Sequence, residues 1–117
     1  MFDLDDRILL HLQDGKRIPV DPQEIYLLEA EGGETLVRMR HAKPLIDVRQ
    51  LSELFDVFEA VGFARIHRSW AVNLRRVREI RPAPDGGWEV KLEPPVNRVL
   101  PVSRRRVSAL WEHFGES

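Results

Sequence analysis

The sequence predicts a mainly β fold of the α+β class, built from short antiparallel strands in small sheets with one short helix midway and another at the C-terminus. Three observations carry that reading. Apolar residues alternate or run in short blocks along most of the chain, turns containing Gly or Pro separate the blocks, and helical spacing surfaces only twice. At 117 residues the chain is one domain of common size, large enough to bury a core.

The elements follow in order. Arg7 to Leu12 and Arg17 to Val20, separated by Asp14-Gly15-Lys16, form a hairpin. Ile25 to Ala30 is a short apolar run that suits a strand covered on both faces. After the turn Glu31-Gly32-Gly33-Glu34, the segment Thr35 to Arg40 alternates, with Thr35, Val37 and Met39 on one face and Leu36, Arg38 and Arg40 on the other. Leu51, Leu54, Phe55 and Phe58 stand at i, i+3, i+4 and i+7, which predicts a helix, and Gly62 sits where a C-terminal cap belongs. Phe63 to Leu74 has the apolar flanks of short buried strands. Val77 to Arg81 predicts a further strand, and after Asp85-Gly86-Gly87 the set Trp88, Val90 and Leu92 alternates with Glu89, Lys91 and Glu93 until Pro94 and Pro95. Val107, Leu110, Trp111 and Phe114 make the apolar face of the last helix, with Ser103 as its expected N-cap.

Composition excludes several classes. A hydrophobic fraction of 43% and a charged fraction of 32% are those of a soluble globular protein. No apolar run is long enough for a spanning helix, so no membrane partner is expected, and the acidic start Met1 to Asp6 is unlike a signal peptide. Zero cysteines exclude disulfides, thiol catalysis and cysteine-ligated zinc, and a cytoplasmic location follows as the default. His11, His41, His67 and His113 are too dispersed for a metal motif, and Glu31-Gly32-Gly33-Glu34 lacks the Gly-Lys-Ser/Thr of a phosphate loop, so no cofactor is expected.

The net charge of -1 conceals a division. Residues 1–60 carry 7 Lys+Arg against 13 Asp+Glu, whereas residues 61–117 carry 11 against 6. Six arginines and one glutamate fall within 64–81 alone. The cluster holds Arg65, His67, Arg68, Ser69, Asn73, Arg75 and Arg76, and a second cluster, Ser103-Arg104-Arg105-Arg106, lies near the C-terminus. Arginine beside small hydrogen-bonding side chains suits planar, bidentate recognition of phosphates and guanine edges, and a positive field of this density can hold a polyanion on a neutral protein. Arg68 and Arg104 can each reach the O6/N7 edge of a guanine, while Asn73 is assigned to a backbone turn. With Ser103 as N-cap, Arg104, Arg105 and Arg106 occupy the first helical turn, where cations are disfavoured by about 0.3–1 kcal/mol each. A bound phosphate would offset that penalty.

Two other functions are open to the same residues. His67 and Ser69, two apart on an extended segment, share a face and could serve a hydrolase with Asp47 or Asp56 as the third member. The chain lacks a nucleophile elbow and a Gly-rich oxyanion loop, however, so a base, phosphate or backbone contact is the preferred role for both, and the protein is not expected to be an enzyme. An arginine-rich face can instead dock an acidic protein partner. The aromatic residues stand mostly at core-facing positions, which disfavours a single-strand stacking platform; Trp70 and Trp88 are the two able to act as one.

The sequence resembles the LytTR family, bacterial DNA-binding domains usually found at the C-terminus of response regulators. The matching stretches are Glu24 to Ala30, Leu51 to Leu54, Gly62-Phe63-Ala64-Arg65-Ile66-His67-Arg68-Ser69-Trp70-Ala71-Val72-Asn73-Leu74 and Leu100-Pro101-Val102-Ser103-Arg104-Arg105-Arg106, together covering about residues 17 to 112. The resemblance implies an elongated, mostly antiparallel β fold and binding of double-stranded promoter DNA by loops that enter successive major grooves. Its base-contacting positions fall on Arg68, Arg104 and the loop at Glu34 and Thr35, with Ser69 and Arg105 on phosphates and Arg65, His67, Asn73, Arg75, Ser103 and Arg106 in phosphate or supporting roles. That first loop departs from the pattern by its acidity, since glutamate can accept from cytosine N4 but repels phosphate. The resemblance further implies paired direct repeats occupied by two self-associating copies, and an upstream receiver domain that this sequence lacks. An excised domain and a short stand-alone regulator are both compatible with that lack. The division expected is a hairpin or linker over residues 1–16, the LytTR-like domain over 17–114 and a tail over 115–117.

Overall fold

Four consecutive buried residues, Ile25 to Leu28, cannot all face one side of a sheet, and the fold covers them from both sides. In the computed structural model, which describes residues 6–116, the order is β1 (Ile8–His11), β2 (Arg17–Val20), β3 (Ile25–Glu31), β4 (Glu34–Met39), β5 (Leu45–Asp47), α1 (Leu51–Phe58), β6 (Phe63–His67), β7 (Trp70–Asn73), β8 (Val77–Pro82), β9 (Trp88–Leu92), β10 (Val99–Val102) and α2 (Val107–His113). A central five-stranded sheet runs β5-β4-β3-β7-β6, flanked by the β1-β2 hairpin and by a three-stranded sheet β10-β9-β8. All the strand pairings are antiparallel, and the molecule measures 43 × 35 × 25 Å.

The central sheet separates two cores. On one face Ile25 and Leu28 pack with Ile8, Leu10, Val20 and the α1 residues Leu51, Leu54 and Phe58. On the other, Tyr26 and Leu27 pack with Ile66, Val72, Val90, Leu92, Leu100 and Leu110 of α2. A register shift between Ile25 and Leu27 interrupts the strand alternation, so the adjacent Tyr26 and Leu27 enter one core while Ile25 and Leu28 enter the other. Burying each large aliphatic side chain contributes about 1.5–3 kcal/mol, so β3 is the strand whose loss would empty both cores.

The helix read from spacing is α1, prolonged by a 3-10 turn over Glu59–Val61 and stopped by Gly62 at φ 95°, a left-handed value suited to glycine. Asp47 fastens the other end of this layer. Its buried carboxylate accepts from His11 N at 2.8 Å, from Arg49 N at 2.9 Å and from the Arg49 guanidinium at 2.8 and 2.9 Å. Burial pushes this carboxyl up, but the Arg49 and backbone hydrogen bonds outweigh it and hold its pKa below the usual carboxylate range.

The structure differs from the sequence reading at several places. β5 and β10 were not expected as strands. Ser103 is not a side-chain cap: Arg104–Arg106 form a 3-10 turn closed by Arg106 N donating to the Ser103 carbonyl at 3.0 Å, and α2 begins only at Val107. The three arginines therefore precede the α-helical turn rather than filling it, which weakens the dipole argument. Phe114 is 50% exposed, because α2 ends at His113 before the spacing returns Phe114 to the core. β1 and β2, on either side of residues 16 and 17, pair as a hairpin and both bury residues in one core. Residues 1–5 of the acidic start and Ser117 of the tail lie outside the described residues.

Candidate nucleic-acid interface

Three connections converge at one end of the central sheet. The β3–β4 turn is Gly32-Gly33, both at positive φ (56° and 88°), as a two-residue hairpin turn that matches strand twist requires. The β6–β7 turn is Arg68-Ser69, and neither residue adopts positive φ. That turn is held by side chains instead. Arg65 donates Nε to the His67 carbonyl at 3.2 Å and Nη2 to the Arg68 carbonyl at 2.7 Å, while Ser69 N donates to His67 Nδ1 at 3.1 Å. A register shift between Arg65 and His67 adds the local twist that the turn itself does not supply. Ser69 O accepts from Ala30 N at 2.9 Å, which ties the two turns together.

The second basic cluster is brought to the first by one backbone bond: Ser103 N donates to the Ile66 carbonyl at 2.8 Å. This places the Arg104–Arg106 turn beside the end of β6. The proximity is electrostatically visible. Burial and then Arg106 lower the Arg65 pKa; burial and then Arg68, Arg106 and Arg65 lower that of His67. A neutral His67 accepting at Nδ1 carries its proton on Nε2, a donor within the positive field. Arg68, Arg104, Arg105 and Arg106 have no ion pair or side-chain hydrogen bond among the described residues, and the first three are exposed. The Ser103 hydroxyl is buried without a partner.

A groove of about 270 Å3 runs between the turns, with Gly33 and Glu34 on one wall and Arg65 and Arg68 on the other. Gln50 and Ser52, at the start of α1, line it too. Neither was singled out in the sequence. Their position just before and inside an amphipathic helix was the available signal, because a helix start presents free N–H groups. Glu34 accepts from Gln13 Nε2 at 3.1 Å, so the tip of the β1-β2 hairpin reaches this wall.

The other expected residues divide. Thr35 is fully buried and its hydroxyl donates to the Arg49 carbonyl at 2.8 Å, so its side chain offers no base contact; the strand alternation that points Glu34 out turns Thr35 in. Asn73 is buried, accepting from Arg75 N at 3.0 Å and donating to the Pro22 and Ile25 carbonyls at 3.3 and 3.0 Å, a purely structural set of bonds. Arg75 lies beside Asp21 and Gly62, at the far end of the β6-β7 hairpin from Arg68, and does not join the cluster. Trp70 stacks near His67 (4.7 Å between ring centres) and donates to Glu29 at 3.2 Å, whereas Trp88 packs edge-on against Trp111. The His67–Ser69 bond uses the serine backbone rather than its hydroxyl. Asp47 is committed to Arg49 and His11, which leaves that pair without a buried carboxylate to orient it. Among the described residues no group of His, Asp or Glu is arranged to hold a metal ion.

Comparison with known proteins identifies the family and its fold. The sequence profile described as the LytTr DNA-binding domain matches residues 6–115. The chain belongs to the LytTR family. Its LytTR fold superposes on a solved LytTr DNA-binding domain from Bacillus cereus with a TM-score of 0.75, covering 94% of this chain and 97% of that one at 24% identity. Relatives include the sensory transduction protein LytT of Oceanobacillus iheyensis, 26% identical over 107 residues. The transcriptional regulatory protein YpdB of Escherichia coli is 32% identical over 99 residues. These matches cover 92% and 84% of this LytTR chain but 43% and 40% of the relatives, so it spans about two fifths of their length.

Proposed function

We propose that this LytTR domain binds double-stranded promoter DNA sequence-specifically, as the cytoplasmic output domain of a bacterial transcription regulator. The β6–β7 turn and the Arg104–Arg106 turn enter successive major grooves. Arg68 and Arg104 take guanine O6/N7 edges, and Ser69, Arg105 and Arg106 take phosphates. Arg65, His67 and Ser103 support the turns. Glu34, opposite Arg68 across the groove, accepts from a cytosine N4. Two copies occupy paired direct repeats, and a receiver domain supplies the signal, a reading that the greater length of the relatives supports.

The observation that carries this reading is the Ser103–Ile66 backbone bond, which unites two basic clusters far apart in sequence whose outward arginines have no ion pair among the described residues. Selection from random duplex DNA, followed by titration of the enriched and scrambled duplexes at two salt concentrations, tests it. The expected result is one enriched repeat, bound with a clear affinity gap over the scrambled duplex and with steep salt dependence. Binding of both duplexes alike would instead indicate an arginine-rich face for an acidic protein partner.

A further inference from the structure

A third arginine cluster lies outside the reading turns. Arg38 in β4, Arg40 just beyond it and Arg98 in the β9–β10 loop line a cleft of about 250 Å3, walled by Pro44, Pro95 and Val96. The segment Arg38 to Lys43 adds one further cation, Lys43, and contains no carboxylate. Among the described residues, Glu29 alone answers these arginines, and incompletely. It lies 3.8 Å from Arg38 Nε and 3.3 Å from Arg98 Nη2, while the same carboxylate also accepts the Trp70 indole N–H at 3.2 Å. Arg38 Nε is shut off from solvent and makes no hydrogen bond, an unmet donor that a native structure seldom leaves. The Arg40 side chain is exposed and makes no ion pair or hydrogen bond among the described residues, while its backbone N–H donates to the Glu24 carbonyl at 2.9 Å.

Three guanidinium groups against one carboxylate leave a charge of +2 at a cleft with partly apolar walls. One dianion neutralises that charge, whereas one carboxylate would leave half of it. The guanidinium fork also matches the oxygens of a phosphoryl group in spacing and plane. We propose that the cleft between β4 and the β9–β10 loop binds a phosphate-type dianion through Arg38, Arg40 and Arg98. The anion supplies the acceptor that Arg38 Nε lacks and relieves Glu29 of two cations, leaving its carboxylate to the Trp70 indole. The source that fits is a free phosphorylated molecule with a terminal phosphoryl group, because a DNA backbone phosphodiester carries one negative charge and, like a carboxylate, would leave half of the +2.

Inorganic phosphate titrated into the isotope-labelled 117-residue chain, at constant pH and ionic strength, tests the site through the arginine Nε–H resonances. Saturable shifts are expected at Arg38 and Arg98, and Arg40→Gln and Arg98→Gln should each weaken the binding by about tenfold. The Arg40 side chain holds no bond of the fold among the described residues, so its variant remains informative even if Arg98→Gln fails to fold. Shifts that rise linearly, that chloride reproduces, or that survive Arg40→Gln overturn the proposal. A duplex titration separates the sources. If a singly charged backbone phosphodiester takes the cleft instead, Arg40→Gln lowers the salt slope of DNA binding by about 0.9 and phosphate displaces the duplex, which overturns the dianion assignment. If a free phosphorylated molecule is the occupant, Arg40→Gln weakens phosphate binding and leaves DNA binding unchanged. The phosphate titration contains no DNA, so its outcome does not depend on the sequence-reading role of the turns.

Discussion

Arginine serves two opposite purposes in this molecule, and the surroundings decide which. Arg49, Arg76 and Arg81 are tied into the fold. Arg49 answers the buried Asp47; Arg76 donates Nε and Nη2 to the Gln23 carbonyl at 3.0 and 2.7 Å, lies 3.7 Å from Glu93 and sits 5.1 Å from the centre of the Tyr26 ring. Arg81 bridges Glu89 at 2.6 Å and Glu79 at 2.8 Å. Arg68, Arg104 and Arg105 stand in connections, exposed, with no such partner among the described residues. Strand register makes the difference. Arg81 is placed directly opposite Glu89 across the β8–β9 ladder, whereas a turn at the sheet end has no facing strand to supply a carboxylate. Local arginine density is therefore a poor guide to a DNA face; arginine without a cross-strand acid is a better one.

The largest effect expected within the fold-bound group is at Asp47. Asp47→Ala leaves the half-buried Arg49 guanidinium with only the Leu9 carbonyl and the His11 N–H with no acceptor, and should cost about 3 kcal/mol of stability with DNA affinity of the folded fraction unchanged. Its pKa is depressed in the folded state, so the stabilisation is complete above the unfolded value of about 3.9 and is lost as pH falls through the folded value. Denaturant unfolding of wild type should accordingly weaken below about pH 4, and that of Asp47→Ala should weaken less. Identical acid profiles would remove Asp47 as the fastening. Arg76→Ala comes next, at about 2 kcal/mol from two charge-assisted bonds, with the salt slope of DNA binding unaltered. A slope reduced by a full unit would move Arg76 into the interface and break the comparison.

Most of the architecture could be read from the chain because one physical signal dominated each element. Four buried residues in a row gave a two-faced β3, and the spacing of Leu51, Leu54 and Phe58 gave α1. β10 escaped because Pro101 stands inside it; an edge strand tolerates the missing N–H, and β10 is at the edge of its sheet. β5 has three residues, too few to show a period. The basic clusters were visible, but their separation into paired and unpaired arginines was not. The acids that pair with Arg76 and Arg98 are Glu93, just past β9, and Glu29 in β3, and only tertiary register brings them near. Thr35 illustrates the finest limit, since one step along a strand exchanges an outward side chain for a buried one.

Among the unpaired arginines the comparison predicts nearly silent effects on folding and selective effects on binding. Arg68→Ala should change stability by no more than about 0.5 kcal/mol, since its side chain has no partner to lose. It should cost about 1–3 kcal/mol on the selected duplex and much less on a scrambled one, so preference relaxes at one base pair. Equal losses on both duplexes would reduce Arg68 to a phosphate contact.

Arg105→Ala is the smallest and most diagnostic step. A phosphate contact carries no sequence information, so selected and scrambled duplexes should weaken by the same factor, with the logarithmic salt slope reduced by about 0.9. Arg104 and Arg105 are adjacent, exposed and equally unpaired, which means that their surroundings in the free protein cannot rank them. Their roles differ only through the direction each side chain takes from the 3-10 turn, where successive residues step about a third of a revolution around the axis. One arginine can then enter the groove while its neighbour meets the backbone. A changed sequence preference for Arg105→Ala, with an unchanged preference for Arg104→Ala, would exchange the two assignments and leave the rest of the interface standing.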